Sequence, residues 1–420
     1  MTTTDAAPLS GSVASTIGDM LDTLEQIERM KASLDAWRAR IVDDARQWSQ
    51  IGAGLGPERS GLWSAEVVAE RELTSEIATA LHIPERTAQT LVAHSRLLVH
   101  DLPATFDALN EGTISYRHAQ VVADQASSLP DEGIPAFDVA ASATAPNTTV
   151  AQFESRARRL REKMHPESLT VRAERARDDR CVALEPARDG MAWISALLPA
   201  ERAVAVFSRL TDAAYALKTA EESRSIGQLR ADVLSDLLID GDVEAMPSGI
   251  RARVLVTVPV LTLLGGDAPA SLEGYGPIDA ETARVLAANA PSFTRLLTHP
   301  ETGAVLSVGR DRYAVPADLR TWLRVRDETC RFPGCRNSAA HADIDHTHDW
   351  ARDGQTAADN LAHLCKSHHH LKHHTRWTVT QEPGGVLEWT SPSQRVHVTR
   401  PANPPNDGDV SSARLLGLRI

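Results

Sequence analysis

Two short pairs of ligand-type residues stand out near the C-terminus. Cys330 and Cys335 are separated by Arg-Phe-Pro-Gly, a sequence that makes a tight turn, and Cys365 and His368 are separated by two residues where a helix should begin. Two such chelating pairs can close a tetrahedral zinc site of three thiolates and one imidazole. Such a site would clamp two distant parts of a segment too small to hold a large core. A second set of ligand types lies inside that clamp. Asp343, Asp345 and His346 end a strand-like piece, and His369 and His373 are four residues apart, hence on one helical face. Asn360 falls in the loop between them. A carboxylate with imidazoles leaves coordination positions open for water and a phosphate oxygen. An imidazole with an ordinary pKa near 6.5 can serve as general base at neutral pH, a combination suited to phosphodiester hydrolysis.

Composition frames this reading. The chain has 420 residues, 42% hydrophobic and 24% charged, which is enough for two or three domains with buried cores. Nine of the 16 histidines lie between His341 and His374, and three of the four cysteines flank or enter the same stretch. A Cys/His cluster outside an exported, disulfide-paired framework points to metal. Net charge is −12, which taken alone argues against nucleic acid. Residues 321–400, however, carry ten Lys/Arg and nine Asp/Glu, so the acidic balance belongs to the rest of the chain. No apolar stretch reaches membrane-spanning length and the N-terminus lacks a basic flank followed by an apolar run, so a cytoplasmic protein with no membrane partner is expected.

The elements that must position these residues follow from pattern. Residues 1–12 are small and polar and read as a flexible tail. Met20, Ile27, Leu34, Ile41 and Trp48 recur every seven residues, which fits a long helix packed on its own domain; a homodimer through this N-terminal helix is the alternative. The segment from Ser75 to Leu98 reads as two short helices with Pro84 opening the second. This is either an ordinary helical hairpin or a helix-turn-helix offering Glu85, Arg86, Gln89 and Thr90 to a groove. Nine basic residues interleaved with acids from Arg156 to Arg180 read as a solvated, ion-paired helix. Residues 191–240 read as helices, Arg253 to Val260 as a strand, and Thr294 to Val315 as two strands around Pro300 to Gly303. Asp279 should cap a helix through Ala288, and Pro316 should open one to about Arg326. Trp377 to Thr390 alternates on both sides of Pro-Gly-Gly, as a β-hairpin does.

The run CRFPGC…DIDH…DN-L…LCKSHHHLKHH resembles an HNH endonuclease motif in its zinc-clamped form. The resemblance implies a β-hairpin and helix gripping one divalent ion (Mg, Mn, Ni or Zn), with DNA as substrate. It implies that His346 activates water, Asp345 and His369 ligate the metal, Asn360 orients the base-bearing loop, and His373 is a further ligand. Cys330, Cys335, Cys365 and His368 match the structural zinc ligands. Upstream, ERSGLWSAEVVAERE, ISYRHAQVVAD, DGMAWISALLPAE and LEGYGPIDAETAR are similar to the large domain, also called the thirteen-E-twelve repeat family, that commonly precedes this module. The expectation is an α+β chain. A mainly helical N-terminal domain with a small α/β section (13–320) precedes an HNH ββα-metal module (321–378), a C-terminal hairpin (379–400) and a tail (401–420). A metal-dependent endonuclease is the leading function. The alternative is a non-catalytic, zinc-stabilised DNA-binding or protein-interaction protein with a vestigial nuclease module.

Overall fold

The structure is a computed structural model that describes residues 11–55, 63–165, 172–174, 176–239, 256–288, 307–309 and 314–403. The chain divides into two compact units, one of residues 1–170 with 304–420 and one of residues 171–303. The first is mostly helical at its N-terminal end and β-rich at its C-terminal end.

Among the described residues, seven α-helices open the first unit: α1 (Gly11–Leu55), α2 (Ala65–Leu81), α3 (Glu85–His100), α4 (Pro103–Asn110), α5 (Tyr116–Ala126), α6 (Ile134–Thr144) and α7 (Val150–Met164). Their core is built from Leu98, Leu102, Phe106, Leu109, Phe137 and Phe153. The α1 helix meets this core through small residues, with Ala32, Ala36 and Ala39 buried, because a narrow alanine face lets neighbouring helices approach closely. This corrects the expectation for the seven-residue column. Met20, Ile27, Leu34, Ile41 and Trp48 point away from the domain and are 41% to 72% exposed. Periodicity located the apolar stripe, but the packing belongs to the opposite, alanine face. The helix also begins at Gly11, inside the expected tail. The Arg156 to Arg180 stretch starts on α7 and joins it with an N-terminal capping box, Thr149 and Gln152 satisfying each other's backbone N–H groups.

The same unit continues with strand β6 (Ser307–Gly309), helix α11 (Ala317–Asp327), β7 (Asp343–His346), β8 (Thr356–Ala357), β9 (Leu361–Leu364), α12 (Lys366–His374) and an antiparallel sheet of β10 (Thr378–Glu382), β11 (Val386–Thr390) and β12 (Val396–Thr399). (Late helices are numbered after those of the second unit.) The expected hairpin from Trp377 therefore gains a third strand. Trp377 and Trp389 are fully buried with Phe332, Leu364, Leu371 and Leu387, so the segment around the cysteines has a substantial aromatic core of its own. Beyond Arg400, Asn403 is tied to the end of α11 through hydrogen bonds to Val325 O and Glu328 Oε1, each 2.9 Å.

The second unit holds the hairpin β1 (Cys181–Pro186) and β2 (Ala192–Leu197), helices α8 (Ala200–Leu217) and α9 (Ile226–Ile239), a small antiparallel sheet β3-β4-β5 (Val256–Thr257, Ala270–Leu272, Gly276–Ile278) and α10 (Ala280–Ala288). The β2 strand corrects the helical reading of 191–200. Asp189 and Gly190 both have positive φ, 57° and 75°, and make the two-residue turn whose twist matches paired strands. The expected strand from Arg253 is reduced to Val256–Thr257 among the described residues, since Val260 already begins a helical turn. Asp279 caps α10 as expected, its Oδ1 accepting from Glu281 N and Thr282 N. Most of the run from Thr294 to Val315 lies outside the described residues.

Candidate metal centres

The two chelating pairs converge. Gly334, at φ 77°, lets the Arg-Phe-Pro-Gly turn close so that Cys335 N donates to Phe332 O at 3.1 Å. Cys365 is the residue before α12, and His368 lies one turn in. The Sγ atoms of Cys330, Cys335 and Cys365 and a ring nitrogen of His368 all lie within 4.8 Å of one another. His368 Nδ1 is 3.4 Å from Cys330 Sγ and 3.2 Å from Cys365 Sγ. Phe332 stacks on the His368 ring at 4.1 Å and seals the group from water. Burial works to lower the His368 pKa, but hydrogen bonds with Cys335, Cys365 and Glu85 outweigh it and push the group up to about 11. Three soft sulfurs and an imidazole, largely buried and sharing protons, are a donor set that a zinc ion fits.

The other nitrogen of His368 faces the helical domain. Its Nε2 is 3.0 Å from Glu85 Oε2, and the second carboxylate oxygen accepts from Ser75 Oγ at 2.5 Å. Carboxylates in this position fix the tautomer and ring orientation of a ligating imidazole. The Ser75 to Leu98 segment is thus a helical hairpin docked on the metal segment, with Glu85 turned inward. Glu72 and Glu76 of α2 extend the contact. Glu72 accepts from Arg376 Nη2 at 2.7 Å, and Glu76 accepts from Ser391 Oγ and Ser393 N, both at 2.8 Å. Arg71 donates to Ser367 Oγ and lies over the Trp63 ring at 4.7 Å.

A second group forms on the other face of α12. Strands β7 and β9 pair antiparallel, Asp345 opposite Ala362 and His346 opposite Leu361, and α12 follows β9 directly. This ββα unit brings Asp345, His369 and His373 together, with one ligand atom from each lying within 4.8 Å of the others. Asp345 Oδ1 is 3.2 Å from His369 Nε2 and 3.1 Å from His373 Nε2. The other oxygen, Oδ2, is held at 2.5 Å by Lys372 Nζ, which also bonds to the backbone oxygen of His346. Burial of Asp345 favours its neutral form, yet His369, His373 and Lys372 outweigh it and hold the carboxyl well below the usual range. Its Oδ1 and the two partly exposed imidazoles are a hard-to-intermediate donor set, which suits a divalent cation. Lys372 was not foreseen; its place between His369 and His373 on one turn was the available signal. Asp343 borders the group, its Oδ2 being 3.2 Å from His369 Nδ1.

His346 and Asn360 sit beside this group. His346 is buried, its Nε2 is 3.0 Å from Thr356 Oγ1, and burial lowers its pKa below 6.5. Asn360 ties the loop after β7 into one shape. Its Oδ1 accepts from His348 N at 2.8 Å and Thr347 Oγ1 at 2.9 Å, and its Nδ2 donates to His348 O at 3.0 Å and Gln355 O at 2.8 Å. A cleft of about 570 Å³ opens here, and Arg320, Arg324, Asp343, His346 and His369 line it.

Behind both groups lies a buried charged hub. Asp327 accepts from Arg326 Nε at 2.8 Å, Arg331 Nη1 at 2.9 Å and His363 N at 3.0 Å. Burial opposes its charge, but His363 and the two arginines hold it well below the usual carboxylate range. Arg326 donates onward to Ala358 O and Leu361 O, and Arg331 to Gly385 O and Thr399 O. His363 is therefore a buried brace of β9.

A helical domain thus carries a small ββα module with two groups able to hold metal ions. The chain belongs to the family described as Domain of unknown function (DUF222), whose model matches residues 22–327. It is similar to the uncharacterized protein Rv3776 of Mycobacterium tuberculosis, 27% identical over 417 residues, covering 87% of this chain and 78% of that protein. It is also similar to the uncharacterized protein Rv1702c of the same organism, 25% identical over 410 residues, with 91% and 88% covered. A local match to a third, Rv2100, is 41% identical over 92 residues, which is 22% of this chain and 16% of that protein. No solved structure matches the chain. Among the described residues, no helix is long and apolar enough to cross a membrane.

Proposed function

We propose that this protein is a metal-dependent endonuclease that hydrolyses DNA phosphodiester bonds at the ββα module, in the manner of the HNH enzymes its motif resembles. The observation that carries the reading is the convergence of Asp345, His369 and His373 next to a cleft that His369 lines together with His346, Arg320 and Arg324. Asp345, His369 and His373 would hold a divalent ion. When bound, such an ion supplies positive charge at the scissile phosphate and the departing oxygen.

The remaining work falls to side chains of this chain. Burial lowers the pKa of His346, which favours the neutral imidazole a base needs. The contact of His346 Nε2 with Thr356 Oγ1 at 3.0 Å fixes the ring, and the imidazole would take the proton of the attacking water. Asn360 keeps the loop that follows His346 in register through its four side-chain hydrogen bonds. Lys372 turns Asp345 so that only Oδ1 faces the two imidazoles. Arg320 and Arg324, one helical turn apart on α11, offer planar donors matched to a phosphate backbone. Cys330, Cys335, Cys365 and His368 would hold a structural zinc, and the chemistry would take place on the opposite face of α12.

The test is nicking of supercoiled plasmid with added Mg²⁺ or Mn²⁺, comparing wild type with Asp345→Ala and His369→Ala. Metal-dependent nicking by the wild type, lost in both variants, is expected. DNA binding without nicking under every metal would favour the zinc-stabilised, non-catalytic reading and overturn this one.

A further inference from the structure

We propose that α1 is a dimerisation helix whose exposed stripe packs against the same stripe of a second copy of this chain. The inference starts from the outward-facing column of Met20, Ile27, Leu34, Ile41 and Trp48, every one at least 41% exposed. Three residues further along, three of the five heptads add Met30, Trp37 and Ile51, each more than half exposed, while Thr23 and Asp44 hold the other two positions. Together they form a seam of alternating three- and four-residue spacing, the geometry at which one helix meets another along its length.

Three arguments favour a partner, and a second copy in particular. First, eight large side chains at about half exposure leave on the order of 800 Å² of apolar surface, what each side of a standard interface buries and more than lone proteins usually show. Second, every residue from Asp19 to Lys31 is exposed. A helical stretch with so little support from its own domain is only marginally stable in water, so this part of α1 is built to be completed by something else. Third, the seam is complementary to itself. In a two-fold antiparallel pairing centred between Leu34 and Trp37, Trp48 falls opposite Thr23, Trp37 opposite Leu34, Met20 opposite Ile51 and Ile41 opposite Met30, with Ile27 opposite Asp44 as the one apolar-to-charged pair. Each indole meets a smaller side chain, which an isologous interface requires of one sequence. The domain's own contact uses the other face, through Ala32, Ala36 and Ala39, so pairing leaves the fold intact.

The measurement is the mass of the full chain in solution from about 0.1 to 100 μM by sedimentation equilibrium. The wild type should be a dimer across the upper part of this range. Leu34→Glu with Ile41→Glu should weaken association at least 100-fold while far-UV dichroism stays at the wild-type value. Val139→Glu, an exposed apolar position on α6, should dimerise like the wild type. A wild type monomeric at every concentration, or a double variant that dimerises as tightly as wild type, would overturn the proposal.

Discussion

His368 and His369 are neighbours on one helix, yet they belong to groups with opposite designs. On the His368 side, three sulfurs and one imidazole are closed in by Phe332, with Glu85 behind the ring. On the His369 side, one oxygen of Asp345 meets two partly exposed imidazoles, of which His369 lines a cleft. The first group offers four protein donors, which would fill a tetrahedral zinc site and leave no position for a substrate. The second offers three, which would leave coordination positions for water and a phosphate oxygen. Adjacent residues turn about 100° apart on a helix, so α12 can serve a closed group with one face and an open one with the other. The difference carries the proposed division of labour: a closed group suited to joining parts of the chain, and a more exposed one with room for the chemistry proposed above.

The comparison breaks most visibly at the cysteines. Cys365→Ser should abolish zinc binding and, with it, the packing of Trp377 and Trp389, since structural zinc contributes about 10 kcal/mol or more to small modules. Elemental analysis should show no bound zinc and near-UV dichroism should lose its tryptophan bands. In contrast, Asp345→Ala should leave both signals at wild-type strength while removing nicking.

Next in size is the buried hub. Asp327→Asn leaves Arg326 and Arg331 without their shared carboxylate and should cost about 3–5 kcal/mol, read as a lower midpoint in urea. The sign of its pH dependence follows from the lowered pKa. A carboxyl that is more acidic folded than unfolded stabilises fully above the unfolded value, near 3.9, and that contribution is lost as pH falls below it. The wild type should therefore lose stability below about pH 4 more steeply than Asp327→Asn.

Smaller effects sharpen the distinction. Glu85→Gln keeps a hydrogen bond to His368 but removes the charge behind it, and should weaken zinc affinity about 10- to 100-fold in chelator competition. Its nicking rate with zinc in excess should match the wild type. Asn360→Ala should do the reverse, lowering cleavage about 10²-fold by loosening the loop after β7 while zinc affinity stays unchanged.

How much of this was legible in the sequence depended on distance along the chain. The Cys330/Cys335 and Cys365/His368 pairs, the strand-like DIDH, the cap at Asp279 and the helix from Pro316 are local patterns, and local spacing is enough to read them. The Asp189-Gly190 turn was equally local, but the flanking AWISAL was absorbed into a helical reading of the residues after it. Glu85 meeting His368, and Asp327 gathering Arg331 and His363, join residues that no spacing rule connects. The α1 helix shows a different limit. Its heptad column was plain, but periodicity cannot tell which face turns inward, and the alanines opposite the column decide that.

The most direct test of the division between the two groups is a paired measurement on His346→Ala: plasmid nicking and zinc content on the same preparation. The base is expected to be worth about 10²- to 10⁴-fold in rate. Nicking should fall by that factor while zinc stays at the wild-type stoichiometry. A variant that nicks as fast as the wild type would contradict the assignment of His346 and of the open group it serves.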